Sequence, residues 1–262
     1  MSTKWCRFEV NGQTHFGKIE GEQVLTIDGT PWGSHTVTTQ RHALSACKLL
    51  APTIPSTFFC VGINYREHII EIAKRNGVEP VFPQRPDVGY RAQNALCGHD
   101  DAIIKPKHSG ELFQYEGELV VVIGKEAKNV SAEQALDYVF GYTIGNDVSE
   151  RTWQKNDRTL WRAKNCDTFK PMGPWIVTDL DYRGMITTIR LNGEVVDSFA
   201  TAKMIHDVET YIAEISQYCT LYPGDVIWMG TEGAQKNMKP GDICEIEITG
   251  IGTLRNPIVA ES

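Results

Sequence analysis

The chain has 262 residues, of which 41% are hydrophobic and 23% charged, an ordinary globular balance with room for one large domain and a small appendage. A net charge of −7 excludes a general nucleic-acid binder, which needs a basic face, and no apolar run is long enough to span a bilayer. Seven scattered cysteines without a CxxC pair exclude a zinc knuckle or a disulfide framework; with no secretory pattern in Met1–Val10, they predict reduced thiols in the cytoplasm.

Along the chain, Trp5–Val10, Thr14–Ile19 and Gln23–Ile27 alternate like short strands, with turn signals at Gly12, Gly17 and Gly21. Ala43–Leu50 predicts a short helix, and Pro52 and Pro55 mark a linker, so residues 1–54 are expected to form a small β-rich N-terminal domain. Thr57–Val61 reads as an apolar strand. Asn64 and Glu67 have the spacing of a capping box for a helix over Tyr65–Asn76, with Lys74 and Arg75 in the last turn and Gly77 as its stop. Val78–Asp101 predicts a long functional loop. Beyond it, strand-like runs at Gln114–Ile123, Tyr142–Asp147, Trp175–Thr178, Thr188–Leu191, Asp225–Met229 and Ile243–Thr249 are broken by helical patterns at Ala132–Tyr138 and His206–Cys219. Asn192-Gly193 signals a hairpin, and the mixture predicts an α+β fold of antiparallel sheets.

The segment Tyr115-Glu116-Gly117-Glu118-Leu119 carries the strongest chemical signal. Residues two apart on a strand share a face, so Glu116 and Glu118 stand side by side at the mouth of an apolar run. Paired carboxylates in such a place repel each other and lose hydration, so one is protonated or a cation sits between them. Asp147 ends a similar apolar strand and completes a three-oxygen set, which favours Mg²⁺ or Mn²⁺ over zinc or copper.

At these residues the chain resembles the fumarylacetoacetate hydrolase superfamily. The match runs through Val61-Gly62-Ile63-Asn64-Tyr65 with His68, the Glu116–Glu118 segment, Gly141-Tyr142-Thr143 with Asn146-Asp147-Val148-Ser149, Trp153-Gln154, Ala163-Lys164, Gly173-Pro174-Trp175, Pro240-Gly241-Asp242 and Gly250–Pro257, in order. The resemblance implies a mixed β-sheet roll over residues 55–262, a homodimer, a divalent cation on Glu116, Glu118 and Asp147, and Lys164 facing the same site. It also implies a His68–Glu71 dyad on a lid helix; the i, i+3 spacing suits it, since a carboxylate beside an imidazole raises its basicity. Gln154 and Thr231 are expected to contact substrate. Arg85 stands near the place where relatives have a lysine, and Glu232 replaces the proline of their late Gly-Thr-Pro-x-Gly loop.

The activity implied is cleavage of a carbon–carbon bond in a small acylpyruvate or 1,3-diketo acid through a metal-bound enolate. The same enolate would serve a decarboxylase or an isomerase of a 2-oxo acid, and an inactive ligand-binding relative is the reading outside catalysis. His99, His108, His206, Cys60 and Cys166 are weaker candidates, and Trp153 and Trp161 are expected to pack around the site.

Overall fold

The computed structural model describes residues 2–262. Two large sheets dominate it. The first has 12 strands and runs from His35–Ala43 through Gln23–Gly29, Gln13–Glu20 and Lys4–Val10 into Lys170–Val177, Val139–Asn146, Gly117–Ile123, Val226–Trp228, Phe58–Val61 and Val88–Tyr90. The second has five strands in the order Glu194–Ala200, Ile186–Leu191, Ile243–Ile248, Gly252–Ala260 and Ile103–Lys105. Both mix antiparallel with parallel pairing, as where Ile103 lies beside Ile258. This is the α+β architecture predicted from the mixture of strand and helix signals; those signals predicted antiparallel sheets, and the parallel pairs make them the mixed sheets that the family resemblance implies. The N-terminal hairpins are hydrogen-bonded into the main sheet, with Trp5 opposite Ile176.

The main core lies between the sheets. Leu119, Val121 and Ile123 of one meet Ile189, Ile246 and Ile248 of the other, all fully buried. The sheets approach closely at Gly117, where an added Cβ would come 2.9 Å from Ile189 and 3.0 Å from Ile246. Glycine there admits the second sheet on one face and leaves the opposite face to Glu116 and Glu118.

Among the described residues there are four α-helices: α1 (Arg66–Asn76), α2 (Arg151–Gln154), α3 (Trp161–Asn165) and α4 (Val208–Tyr218). Helix α1 buries Ile69 and Ala73 and ends at Gly77 in the left-handed region, as predicted. Its start differs from expectation. Tyr65 is the N-cap, without a side-chain cap bond, because Asn64 Oδ1, the atom that would cap, accepts from the His206 N–H at 2.9 Å while its amide nitrogen donates to the Met229 and His206 carbonyls. Asn64 thus ties the start of α1 to two distant loops instead of capping it.

Other departures have local causes. The helix expected at Ala43–Leu50 is one 3-10 turn followed by the strand Lys48–Leu50, since Leu49 gains more by packing opposite Phe8. The run Gln114–Ile123 is two strands: Phe113–Gln114 pairs with Ser149–Glu150, and Gly117–Ile123 with Val139–Asn146. The expected loop Val78–Asp101 contains the short strands Val88–Tyr90 and Leu96–Cys97. The strand expected at Trp175–Thr178 begins earlier, at Lys170.

Candidate active site

Strand register brings the three acids together. Gly117 pairs with Asn146 and Glu118 with Gly145, so one step further out Glu116 meets Asp147, whose N–H donates to the Glu116 carbonyl at 2.9 Å. The Glu116 N–H is held by Asn146 Oδ1 at 2.9 Å. Glu116, Glu118 and Asp147 each offer an oxygen, all within 4.8 Å of one another, and all three residues are buried.

Four cations surround them. Arg91 donates bidentately to Asp147, with Nε at 3.0 Å and Nη2 at 2.8 Å. The buried Lys170 ammonium lies 2.7 Å from Asp147 Oδ1 and also donates to the Val148 and Phe169 carbonyls. Arg151 donates to Glu116, and its other nitrogens hold the side-chain oxygens of Gln114 and Gln154 at 3.0 and 2.9 Å. Lys164 bridges Glu116 and Asp147, donating to Asp147 Oδ2 at 2.7 Å. It stands on α3, whose start is fixed by the Asp157 carboxylate accepting from the Arg162 and Ala163 N–H groups.

The titration behaviour follows from this placement. Burial pushes the Glu116 carboxyl up, but Arg151 and Lys164 outweigh it and leave it at about 2. Asp147 is likewise driven well below its ordinary value, because Arg91, Lys164 and Lys170 overcome burial. Glu118 accepts from the Gly230 N–H at 2.8 Å but touches no cation. Burial, then Asp147 and Glu116, push it up to about 8.

This donor set fits a hard divalent cation. The Lys164 ammonium lies in the notch between two of the carboxylates, and burial beside Asp147 and Glu116 raises the Glu118 carboxyl. A divalent ion ligated by Glu116, Glu118 and Asp147 would ionise Glu118.

The nest opens into a cavity of about 540 Å³. His68, Glu71, Lys164, Gln154, Thr231 and the three acids, each expected at a site from sequence, all line it. Burial lowers the His68 imidazole below its ordinary value, against the opposing pull of Glu116. Its ring packs on the late loop: a Cβ added to Gly233 would lie 2.5 Å from His68 Nδ1.

Three expectations need correction. Arg85 lies outside the cavity, exposed, donating to Glu214 at 2.5 Å and Tyr218 at 3.2 Å on α4. Among the described residues no hydrogen bond or ion pair joins His68 to Glu71, because the Glu71 side chain is exposed at the cavity mouth. Trp161 is 68% exposed and does not pack around the site, whereas Trp153 stacks under Arg162. Glu232 turns away from the cavity towards Lys203, 3.2 Å away.

Two of the weaker candidates have structural duties. His99 accepts from the Arg255 N–H, and His206 meets the Pro83 carbonyl. Burial pushes the Cys60 thiol up to about 12, and all seven cysteines are free. Sequence reading missed Arg91, Lys170 and Arg151. Arg91 sits in the segment read as loop, and nothing local marks any of the three as a partner of the acids.

Residues 57–259 match the family described as fumarylacetoacetate (FAA) hydrolase C-terminal, and residues 3–52 match the one described as Rv2993c-like, N-terminal. The chain is 42% identical over 254 residues to Protein Rv2993c of Mycobacterium tuberculosis, covering 93% of each. It is 37% identical over 227 residues to the mitochondrial oxaloacetate tautomerase Fahd2a of Rattus norvegicus, covering 82% of this chain and 70% of the rat protein. The crystal structure of 5-carboxymethyl-2-hydroxymuconate delta-isomerase from Mycobacterium smegmatis superposes with a TM-score of 0.89 at 36% identity, over 98% of this chain and 100% of that one. Among the described residues no helix is long and apolar enough to cross a membrane.

Proposed function

Because the chain belongs to the fumarylacetoacetate hydrolase family, we propose that it is an enzyme that interconverts the keto and enol forms of a small 2-oxo acid with the help of Mg²⁺ or Mn²⁺. One observation carries this reading. His68, on helix α1, lines the same cavity as the buried carboxylate nest, with burial lowering its imidazole, and among the described residues is not paired with Glu71. A single imidazole of that kind suits moving one proton to and from a carbon.

A divalent cation on Glu116, Glu118 and Asp147 supplies Lewis acidity for a keto oxygen and its neighbouring carboxylate. Arg151 occupies the Gln154 side-chain oxygen, leaving the Gln154 amide N–H groups to donate to the acid. Lys164 brings an ammonium to the oxygen on which negative charge grows. The Thr231 hydroxyl, buried at the wall, orients the bound acid. His68 takes the proton from the carbon beside the keto group and delivers it to the keto oxygen, which gives the enol; the reverse transfer, from oxygen to carbon, restores the ketone. The carboxylates that bind metal stay ionised throughout.

Carbon–carbon bond hydrolysis of an acylpyruvate is the second reading. It is favoured by Glu71, which lines the cavity one turn along the same helix face and would have to swing onto His68 to help activate water.

The test follows oxaloacetate and acetylpyruvate by NMR in D₂O with Mg²⁺, with Mn²⁺ and with EDTA. We expect protein-dependent deuterium entry at the carbon beside the keto group and accelerated decay of enol absorbance, both abolished by EDTA and by His68→Gln. Release of two acids from acetylpyruvate would establish the second reading instead. A protein inert towards both, with either metal, would overturn both.

A further inference from the structure

Among the described residues no side chain is hydrogen-bonded to His68. Its ring lies instead against the late loop: a Cβ added to Gly233 would come 2.5 Å from Nδ1 and 2.7 Å from Cε1. Burial lowers the imidazole, and the Glu232 backbone, by a hydrogen bond, is among the groups that oppose the fall. Backbone at residues 232 and 233, and not a carboxylate, sets where the ring stands.

The loop is held at both ends. The Gly230 N–H donates to Glu118 at 2.8 Å, and the Gln235 N–H meets the Tyr115 hydroxyl and the Asp197 carboxylate, each at 3.3 Å. Between these anchors the Glu232 side chain reaches Lys203, 3.2 Å away. Glu232 Oε1 is buried and, among the described residues, forms no hydrogen bond, so the Lys203 ammonium is its counter-charge. Burial raises the nearby Asp197 carboxyl, and Glu71 and Glu232 add to the rise. Without Lys203, the repulsion between Glu232 and Asp197 would act unopposed on the loop.

Lys203 directly precedes the segment to which the start of α1 is tied. The Asn64 carbonyl accepts from the Ile205 N–H at 2.8 Å, and the Asn64 side chain accepts from the His206 N–H at 2.9 Å and donates to the His206 carbonyl at 3.0 Å. Tyr65 forms a β-bridge with Met204. The contacts therefore close a circuit: from α1 to residues 204–206, from Lys203 to Glu232, and from Gly233 back to His68.

We propose that Glu232 and Lys203 are positioning residues, whose ion pair holds the Glu232–Gly233 backbone against His68 and so aims the imidazole for proton transfer. This rests on the reading of His68 as the group that moves the proton, and adds the pair that fixes its place. A proton-transfer group must stand within hydrogen-bond reach of the reacting atom, so a small shift of the loop is felt in turnover before it is felt in folding.

Three measurements test it: enol decay of oxaloacetate with Mg²⁺, calorimetric Mg²⁺ titration, and the imidazole ¹⁵N signals of the metal-free, histidine-labelled protein, with His68 assigned by His68→Gln. The pair is partly exposed, 52% at Lys203 and 17% at Glu232, so Glu232→Gln and Lys203→Met lower the melting temperature by less than about 4 °C. In each, kcat falls by about tenfold while KM and Mg²⁺ affinity stay unchanged. The double variant falls no further than either single one. Exchanging the charges, Glu232→Lys with Lys203→Glu, recovers most of kcat. The His68 signals move in the single variants and return in the exchanged pair. Lys236→Met, which breaks the exposed pair with Glu194 further along the same loop, alters neither kcat nor those signals. Unmoved His68 signals, a kcat within about twofold of the parent, or losses that multiply in the double variant overturn the proposal. A parent inert towards oxaloacetate overturns the functional reading alone, and the His68 signals then decide whether the pair aims the ring.

Discussion

Lys164→Met removes the ammonium that bridges Glu116 and Asp147 and leaves two buried carboxylates facing each other. Taking one partner from a buried ion pair costs about 3–5 kcal/mol. Here Asp147 keeps Arg91 and Lys170, and Glu116 keeps Arg151, so the lower end, about 3 kcal/mol, applies. For a chain of this length that is a fall of about 6–12 °C in the melting temperature of the metal-free protein. Mg²⁺ should then do more for the variant than for the parent. A unit charge about 4 Å away is worth up to about 4 kcal/mol at an effective dielectric constant of about 20, so removing the resident ammonium should tighten Mg²⁺ binding by at least about tenfold. Differential scanning fluorimetry with EDTA and with Mg²⁺, and calorimetric titration of Mg²⁺, measure both effects. The reasoning is refuted if metal-free Lys164→Met melts with the parent, or if its Mg²⁺ affinity falls. Either result would mean that Lys164 does not share the notch with the cation.

Glu118→Gln imitates the protonated carboxyl of the metal-free protein, so its melting temperature without metal should match the parent while Mg²⁺ affinity drops by more than about tenfold; a large loss of metal-free stability would show that Glu118 is ionised there. The acid limb of kcat/KM should fall with an apparent pKa below 6.5, because burial disfavours the charged imidazole of His68. The same shift has a stability sign: the unfolded chain binds this proton first, so the His68 contribution is present above pH 6.5 and declines as pH drops towards the folded value, and His68→Gln should remove that decline. At Gly233, φ is +101° and a Cβ would press on His68. Gly233→Ala should therefore cut turnover by more than about tenfold with Mg²⁺ binding unchanged, measured by kinetics beside calorimetry; equal loss of both would place the damage elsewhere.

The acidic triad was legible because two signals coincide in it: E-x-E at the mouth of an apolar strand, and a second apolar run ending in Asp147. The antiparallel register that joins them is a tertiary fact, but two buried strands ending in acid leave few other arrangements. The N-terminal hairpins were readable from alternation and glycine. His35–Ala43 was not, since its polar, β-branched residues pair at a sheet edge without burying an apolar face. The cations were the least legible. Lys170 is fully buried, and lysine carries no sequence mark for such a place because its partner, Asp147, is supplied by another strand. Arg85 looked plausible from its position after the lid, yet Glu214 and Tyr218 on α4 hold it on the outer surface. Asn64 and Glu67 had the spacing of a capping box, and the contacts Asn64 makes with Met229 and His206 override it.

The pairing of Ile103–Lys105 with Gly252–Ala260 has a bearing on how the molecule is made. Asn256 reaches back to the Asp101 carbonyl across 155 residues of chain, and Ile103 finds its neighbour in Ile258. A ribosome must therefore finish the late strand before the early one has anywhere to go, and closing so long a loop is slow. Throughout that interval Ile103 and its surroundings stay uncovered, so the newborn chain keeps an apolar strand exposed for longer than a protein built from neighbouring hairpins would.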